Sequence, residues 1–384
     1  MKREIWLDFL RVTACFLVMM VHSTEPFYLG GLGTQVLTSQ DAIWVSIFEG
    51  LARCCVPVFI IVSSYLQFPL HYTIGEFIRR RTLRVLVPMA IWTLVYALAY
   101  GHPVANLKGL LLNFNYAAGH LWFVYMLLGL YVVMPLLSPW AETVSRKELK
   151  IYLGIWAFTL LIPFIREAAG GLAPILYAPD GLPAPALFPL WGEASWNPFG
   201  LFYYVSGFVG YLLLGLYIKR FVPVDRTTAL TGGIIFLSGF IWSCFGFMTH
   251  ICESGYFPVE GSLELAVSWE VAISFCSLPV ALTALGLVLL FRGIPDSGNT
   301  WFYQTVILPF ATAGYGMYLL HMLILNPVSS FVRARMGVGS AGLLGPVWTT
   351  PVEILLTALL SFIAAGLVAV TLRRIPKVGK WIVG

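Results

Sequence analysis

Arg11 and His22 lie eleven residues apart in an apolar stretch near the start of the 384-residue chain. At 100° per residue that is about three turns plus 20°, so on one helix both project from the same face, separated by roughly 16 Å along the axis. Asp8 and Glu25, three residues before the first and three after the second, extend the stripe. An ionisable side chain within a bilayer costs at least ~2.5–3.5 kcal/mol, so residues of this kind normally face a cavity, a partner or a substrate path. A guanidinium at one end of such a stripe suits an anion or developing negative charge, and an imidazole at the other suits proton transfer. A plainer reading has Asp8 paired with Arg11 while His22 makes a single interfacial hydrogen bond.

Other polar residues interrupt apolar runs farther along. Glu49 and Arg53 stand four apart, acid first, the favourable order for an internal helical ion pair that locks packing. Arg79, Arg80, Arg81 and Arg84 cluster before an apolar run, where anionic lipid headgroups or a phosphorylated ligand can be gripped. His120 opens the run beginning His120-Leu121-Trp122-Phe123, and His321 follows Tyr318-Leu319-Leu320. With His22 they place three of the six histidines toward one side of a membrane, which points to a polar site.

The elements that must position these groups follow from composition. Hydrophobic residues make up 59% of the chain and charged ones only 11%, and the mean hydropathy is +0.84. Soluble domains carry roughly 25% charged residues. Apolar runs near 5–24, 42–68, 84–100, 120–139, 149–165, 198–218, 228–248, 266–291, 306–328 and 350–372 are long enough to span. The expected fold is an all-α polytopic transmembrane helical bundle of about ten helices, a single domain over 1–384. Asp8 and Arg11 interrupt the first run and no small-residue cleavage site follows, so it is expected to remain as a span.

The net charge of +5 reports topology, with no nucleic-acid partner expected. With the N-terminus inside, the inner segments hold Lys2 and Arg3, the Arg79–Arg84 group, Arg146 to Lys150, Lys219 to Arg226, Arg292, and Arg373 to Lys380. The outer segments hold only Lys108, Arg166, Arg333 and Arg335. This bias places both termini in the cytoplasm and runs the first helix outward. The longest outer connection, 166–197, is rich in Pro, Gly and Trp; a short interfacial helix is expected within 101–119 and a loop at the Gly-rich 336–346. The six cysteines form neither a metal-type pair nor a disulfide framework, and they read as small buried hydrophobes.

Arg11 and His22, taken with four further segments, resemble the signature of the membrane acyltransferase-3 family. Phe59 through Tyr65 is similar to that family's aromatic-rich segment, with Ser64 where the family usually has Gly. Arg81 and Arg84 before Pro88 resemble its paired arginines. His120-Leu121-Trp122-Phe123 with Tyr131 and Pro135, and Gly314 to Tyr318 with His321 and Asn326, resemble its fourth-helix and late motifs. The chain carries none of the extracytoplasmic hydrolase-like domain of some members, so it is expected to act alone or with a separate partner.

The resemblance implies transfer of an acyl group, usually acetyl, from a cytoplasmic acyl-coenzyme A to a hydroxyl of an extracytoplasmic polysaccharide or glycolipid. On that reading His22 is the general base or acyl acceptor and Glu25 orients it. Arg11 holds the donor or stabilises developing negative charge, while Arg81 and Arg84 bind coenzyme A. His120 and His321 bind the acceptor. Acetyl-CoA or another short acyl-CoA is the expected donor and no metal is expected. Membrane lipid and polysaccharide synthesis or export proteins are the expected partners, in a cell (inner) membrane. A secondary transporter or flippase for a glycan is the alternative, although no internal repeat supports it. A scaffold without activity leaves the polar stripe unexplained.

Overall fold

The computed structural model describes residues 3–27, 39–113, 115–168, 191–192, 197, 199–254, 270–293, 300–337 and 342–384. Within them the elements in chain order are α1 (Ile5–Thr24), α2 (Ser39–Ala52), α3 (Cys55–Gln67), α4 (Ile74–Ala99) and α5 (Pro103–Gly109). Then come α6 (Trp122–Thr143), α7 (Arg146–Thr159), α8 (Val209–Phe221), α9 (Arg226–Ser254) and α10 (Leu278–Arg292). The chain closes with α11 (Leu308–Met336), α12 (Gly345–Arg373) and α13 (Gly379–Val383). No strand occurs among the described residues. Nine helical segments there are long and apolar enough to cross a membrane, so the protein is an all-α, multi-pass bundle. Most of the 166–197 connection and residues 338–341 of the Gly-rich stretch lie outside the described residues. The short helix expected within 101–119 is α5.

Two expected spans are broken for local reasons. The run near 42–68 divides at Arg53 and Cys54 into α2 and α3. Pro57 lacks the N–H that would bond the Arg53 carbonyl in an unbroken helix, and it is tolerated because it falls in the first turn of α3. The run near 198–218 is a 3-10 turn, Gly200–Val205, followed by α8. Gly207 at φ +75° divides them, in a left-handed conformation that glycine adopts without steric cost.

Polarity is distributed as a bilayer requires. On α9, Leu230, Ile234, Leu237, Ile241 and Phe245 recur every three or four residues and are all exposed, which makes a lipid-facing stripe. Charged and polar residues lie inside instead: Asp8, Glu49, Arg53, His321 and Glu353 are buried. Each buried charge has a partner, as an interior of low dielectric demands. Arg333 meets Glu353 at 2.8 Å, and Arg292 donates to the Tyr65 hydroxyl at 2.7 Å and to the Val222 carbonyl at 2.8 Å.

Small residues draw the helices together. A Cβ at Gly286 of α10 would fall 2.2 Å from the Phe236 nitrogen of α9, and one at Gly232 would fall 2.5 Å from the Leu290 nitrogen. Backbone contact of this kind is the usual means of helix association in lipid, where apolar burial gives no driving force. Ser64, the residue that departs from the family's glycine, is accommodated similarly. Its hydroxyl donates to the Leu212 carbonyl of α8 at 2.5 Å, and Gly215 gives it room, since a Cβ there would fall 2.7 Å from the Ser64 Cβ.

Candidate functional site

Helix α1 carries the stripe without interruption from Asp8 to His22. At its end the chain tightens into a 3-10 turn, Glu25–Phe27, which swings the Glu25 carboxylate back onto the imidazole, with His22 Nδ1 and Glu25 Oε2 2.7 Å apart. A carboxylate only accepts, so Nδ1 carries the proton and the neutral ring has its lone pair on Nε2.

A second layer holds this end of α1. Thr24 donates to Glu49, and Arg53 donates to the same carboxylate. The expected Glu49–Arg53 pair is therefore present and buried, and it also holds this end of α1, because Glu49 accepts from Thr24. Asp8 binds mainly elsewhere than the plainer reading has it. It takes Arg3 through two hydrogen bonds of 2.6 and 3.0 Å and accepts the Tyr303 hydroxyl at 2.7 Å, whereas Arg11 stands off at 3.8 Å.

Three helices converge on His22. The ring of His321, on α11, lies 4.9 Å from that of His22, and the ring of His120, in the 3-10 turn that opens α6, lies 4.9 Å from that of His321. His321 Nδ1 sits 2.5 Å from the Tyr318 carbonyl, an acceptor, so this ring too has its lone pair on Nε2. That nitrogen and His120 Nε2 are buried without a hydrogen-bond partner. An unsatisfied buried polar group costs about 1–3 kcal/mol, a cost that a bound hydroxyl would remove. Tyr318 closes the group: its hydroxyl donates to the His120 carbonyl at 2.5 Å. Among the described residues no set of three His, Cys, Asp or Glu side chains is arranged to hold a metal ion.

Below this cluster lies a cavity of about 1120 Å³. Its basic end is lined by Arg79, Arg80, Arg81 and Arg84 of α4, by Arg3 and Arg11, and by Arg373 and Lys380. Its walls are Cys15, Val56, Phe59 and Leu127, and at the far end it reaches Val18, Phe123 and Tyr318. Each of those three is three or four residues, about one turn, from a histidine on the same stretch of chain, namely His22, His120 and His321. The cavity thus spans from the arginines to the layer just beneath the imidazoles, and Arg11 lines it while His22 stands beyond it.

A family model described as an acyltransferase domain matches residues 4–370, nearly the whole chain. The chain belongs to the acyltransferase-3 family. It is an acyl-transferring membrane enzyme, and the acyltransferase-3 motifs expected from the sequence line the cavity and the histidine layer above it. No curated protein and no solved structure matches the chain.

Two features of the acyltransferase-3 site were not anticipated. Arg373 and Lys380 read as topogenic charge in the sequence, yet α13 folds back against α4, where the Trp92 indole donates to the Ile382 carbonyl at 2.8 Å, and Lys380 and Trp381 are brought into the cavity. Arg80 of the predicted phosphate-binding group is already paired with Glu76 at 2.6 Å, which leaves Arg81 and Arg84 as the more available pair.

Proposed function

We propose that the protein is an O-acetyltransferase of the cell (inner) membrane. It takes an acetyl group from acetyl-CoA, bound in the cytoplasmic cavity, and delivers it to a hydroxyl of an extracytoplasmic polysaccharide or glycolipid. The observation that carries this reading is the cavity itself, arginine-lined at the end that the basic residues assign to the cytoplasm and ending one turn short of the His22–Glu25 pair.

In the reaction His22 Nε2 takes the proton of the acceptor hydroxyl as its oxygen attacks the thioester carbonyl. Glu25 holds the ring in the required tautomer and stabilises the imidazolium that forms. As the carbon–sulfur bond breaks, the imidazolium returns its proton to the departing thiolate, leaving ester and free thiol with His22 regenerated. Arg81 and Arg84 hold donor phosphates by charge-assisted hydrogen bonds. His321 and His120 bind the acceptor through their open Nε2 atoms. Membrane lipid surrounds the bundle, and polysaccharide synthesis or export proteins are the expected suppliers of acceptor.

Mass spectrometry of the cell's glycans, with and without the protein, tests the assignment. Acetyl-bearing species should vanish on deletion and return with the wild-type protein but not with His22→Ala. An unchanged glycan spectrum on deletion would overturn it.

A further inference from the structure

Three guanidiniums from three helices line the one cavity: Arg11 of α1, Arg84 of α4 and Arg373, the last residue of α12. They are close enough for the charges of Arg84 and Arg11 to act on Arg373. Eight cations line the cavity against two acids, and Arg11 has Asp8 only at 3.8 Å. Of the two acids that line the cavity, Asp8 is taken up by Arg3 and Tyr303, and Glu4 accepts from the Trp6 indole at 2.7 Å and the Tyr65 hydroxyl at 2.9 Å. Arg373 donates to the main-chain oxygen of Gly384. The dipole of α12 favours a cation at Arg373, but it does not account for two more arriving from other helices. Like charges assembled in a partly desolvated cavity repel, and a bound anion reverses the sign of that energy.

We infer that Arg11, Arg84 and Arg373 together bind the diphosphate of the donor, with Arg373 a donor-binding residue beyond those the motifs supply. The inference rests on the reading of the donor as an acyl-CoA and says where along the cavity it lies. Arg11 is about 16 Å from His22 along α1, and the wall between is apolar and aromatic, formed by Val18, Val56, Phe59, Phe123 and Leu127. In coenzyme A an extended pantetheine arm separates the diphosphate from the sulfur. A diphosphate at the three arginines therefore directs the thioester toward Tyr318 and the histidines. The ribose 3′-phosphate lies on the other side of the diphosphate and falls to Arg79 and Arg81, which line the same cavity. Arg11 accordingly binds donor and is too far from the histidines to stabilise charge at the reacting carbonyl.

Calorimetry on the purified protein in detergent, with coenzyme A, 3′-dephospho-coenzyme A and pantetheine, tests this. Arg373→Gln should weaken coenzyme A and its dephospho form alike, by about 10- to 100-fold for one lost charged hydrogen-bonding group, and leave pantetheine unchanged. Arg373→Lys should restore part of the loss, since it returns the charge without the fork. If Arg373→Gln does not fold, as judged by its elution and thermal midpoint, Arg84→Gln makes the same comparison from the opposite helix. Wild-type affinity for coenzyme A in the folded variant overturns the inference, as does a loss confined to the form bearing the 3′-phosphate. A wild-type protein that binds none of the three overturns the acyl-CoA reading itself, and the inference with it.

Discussion

His22 and Glu25 carry the chemistry proposed here, and their geometry separates two roles. His22→Ala should reduce acetyl transfer by about 10²–10⁴-fold, the usual contribution of a general base, with the protein inserted at normal abundance by immunoblot of membranes. Glu25→Gln keeps a side chain of the same shape but removes the charge that stabilises the imidazolium. It should lower kcat while leaving KM for acetyl-CoA within about twofold, read from steady-state kinetics; a rise in KM with kcat intact would assign Glu25 to binding. The Arg11 and His22 pair was legible because helical periodicity turns a spacing in sequence into a shared face. That His22, His120 and His321 gather on one side was legible as well, but their ring contacts were not, because those depend on how segments far apart in the chain pack. Asp8 shows the same limit: its helical neighbour Arg11 was the expected partner and does pair with it at 3.8 Å, but Arg3 and Tyr303, unforeseen, hold it more closely.

At the scale of elements, the spans could be read from hydropathy because the bilayer imposes both length and composition. The breaks at Arg53 and at Gly207 were hidden within apolar runs, where a proline or glycine changes the backbone without changing hydropathy. Helix α13 was hidden for another reason: Lys377 and Lys380 resemble any cytoplasmic charge, and only its docking against α4 shows that Lys380 enters the cavity. The contact of α9 with α10 depends on glycine, so Gly286→Val should force the helices apart and cost about 1–3 kcal/mol, the range for overpacking. Thermal unfolding in detergent measures this, and a midpoint equal to that of the wild type would show that the contact yields without cost. The substitution lies away from the histidine layer, so its effect should appear in stability before it appears in KM.

For the whole molecule, the arrangement is a conduit with unlike ends: arginines gathered at one end, imidazoles at the other, and an apolar passage between them that stops at Tyr318. Arg81→Ala combined with Arg84→Ala should raise the apparent KM for acetyl-CoA more than it lowers turnover at saturation. If affinity is unchanged in that double variant, those arginines serve the membrane surface and not the donor. Sidedness is the central claim, and inverted membrane vesicles supplied with radiolabelled acetyl-CoA on their exposed cytoplasmic face test it most directly. The label should appear covalently on lumenal glycan with the wild-type protein and be absent with His22→Ala; glycan transport without covalent label, or equal labelling in the two, would contradict it.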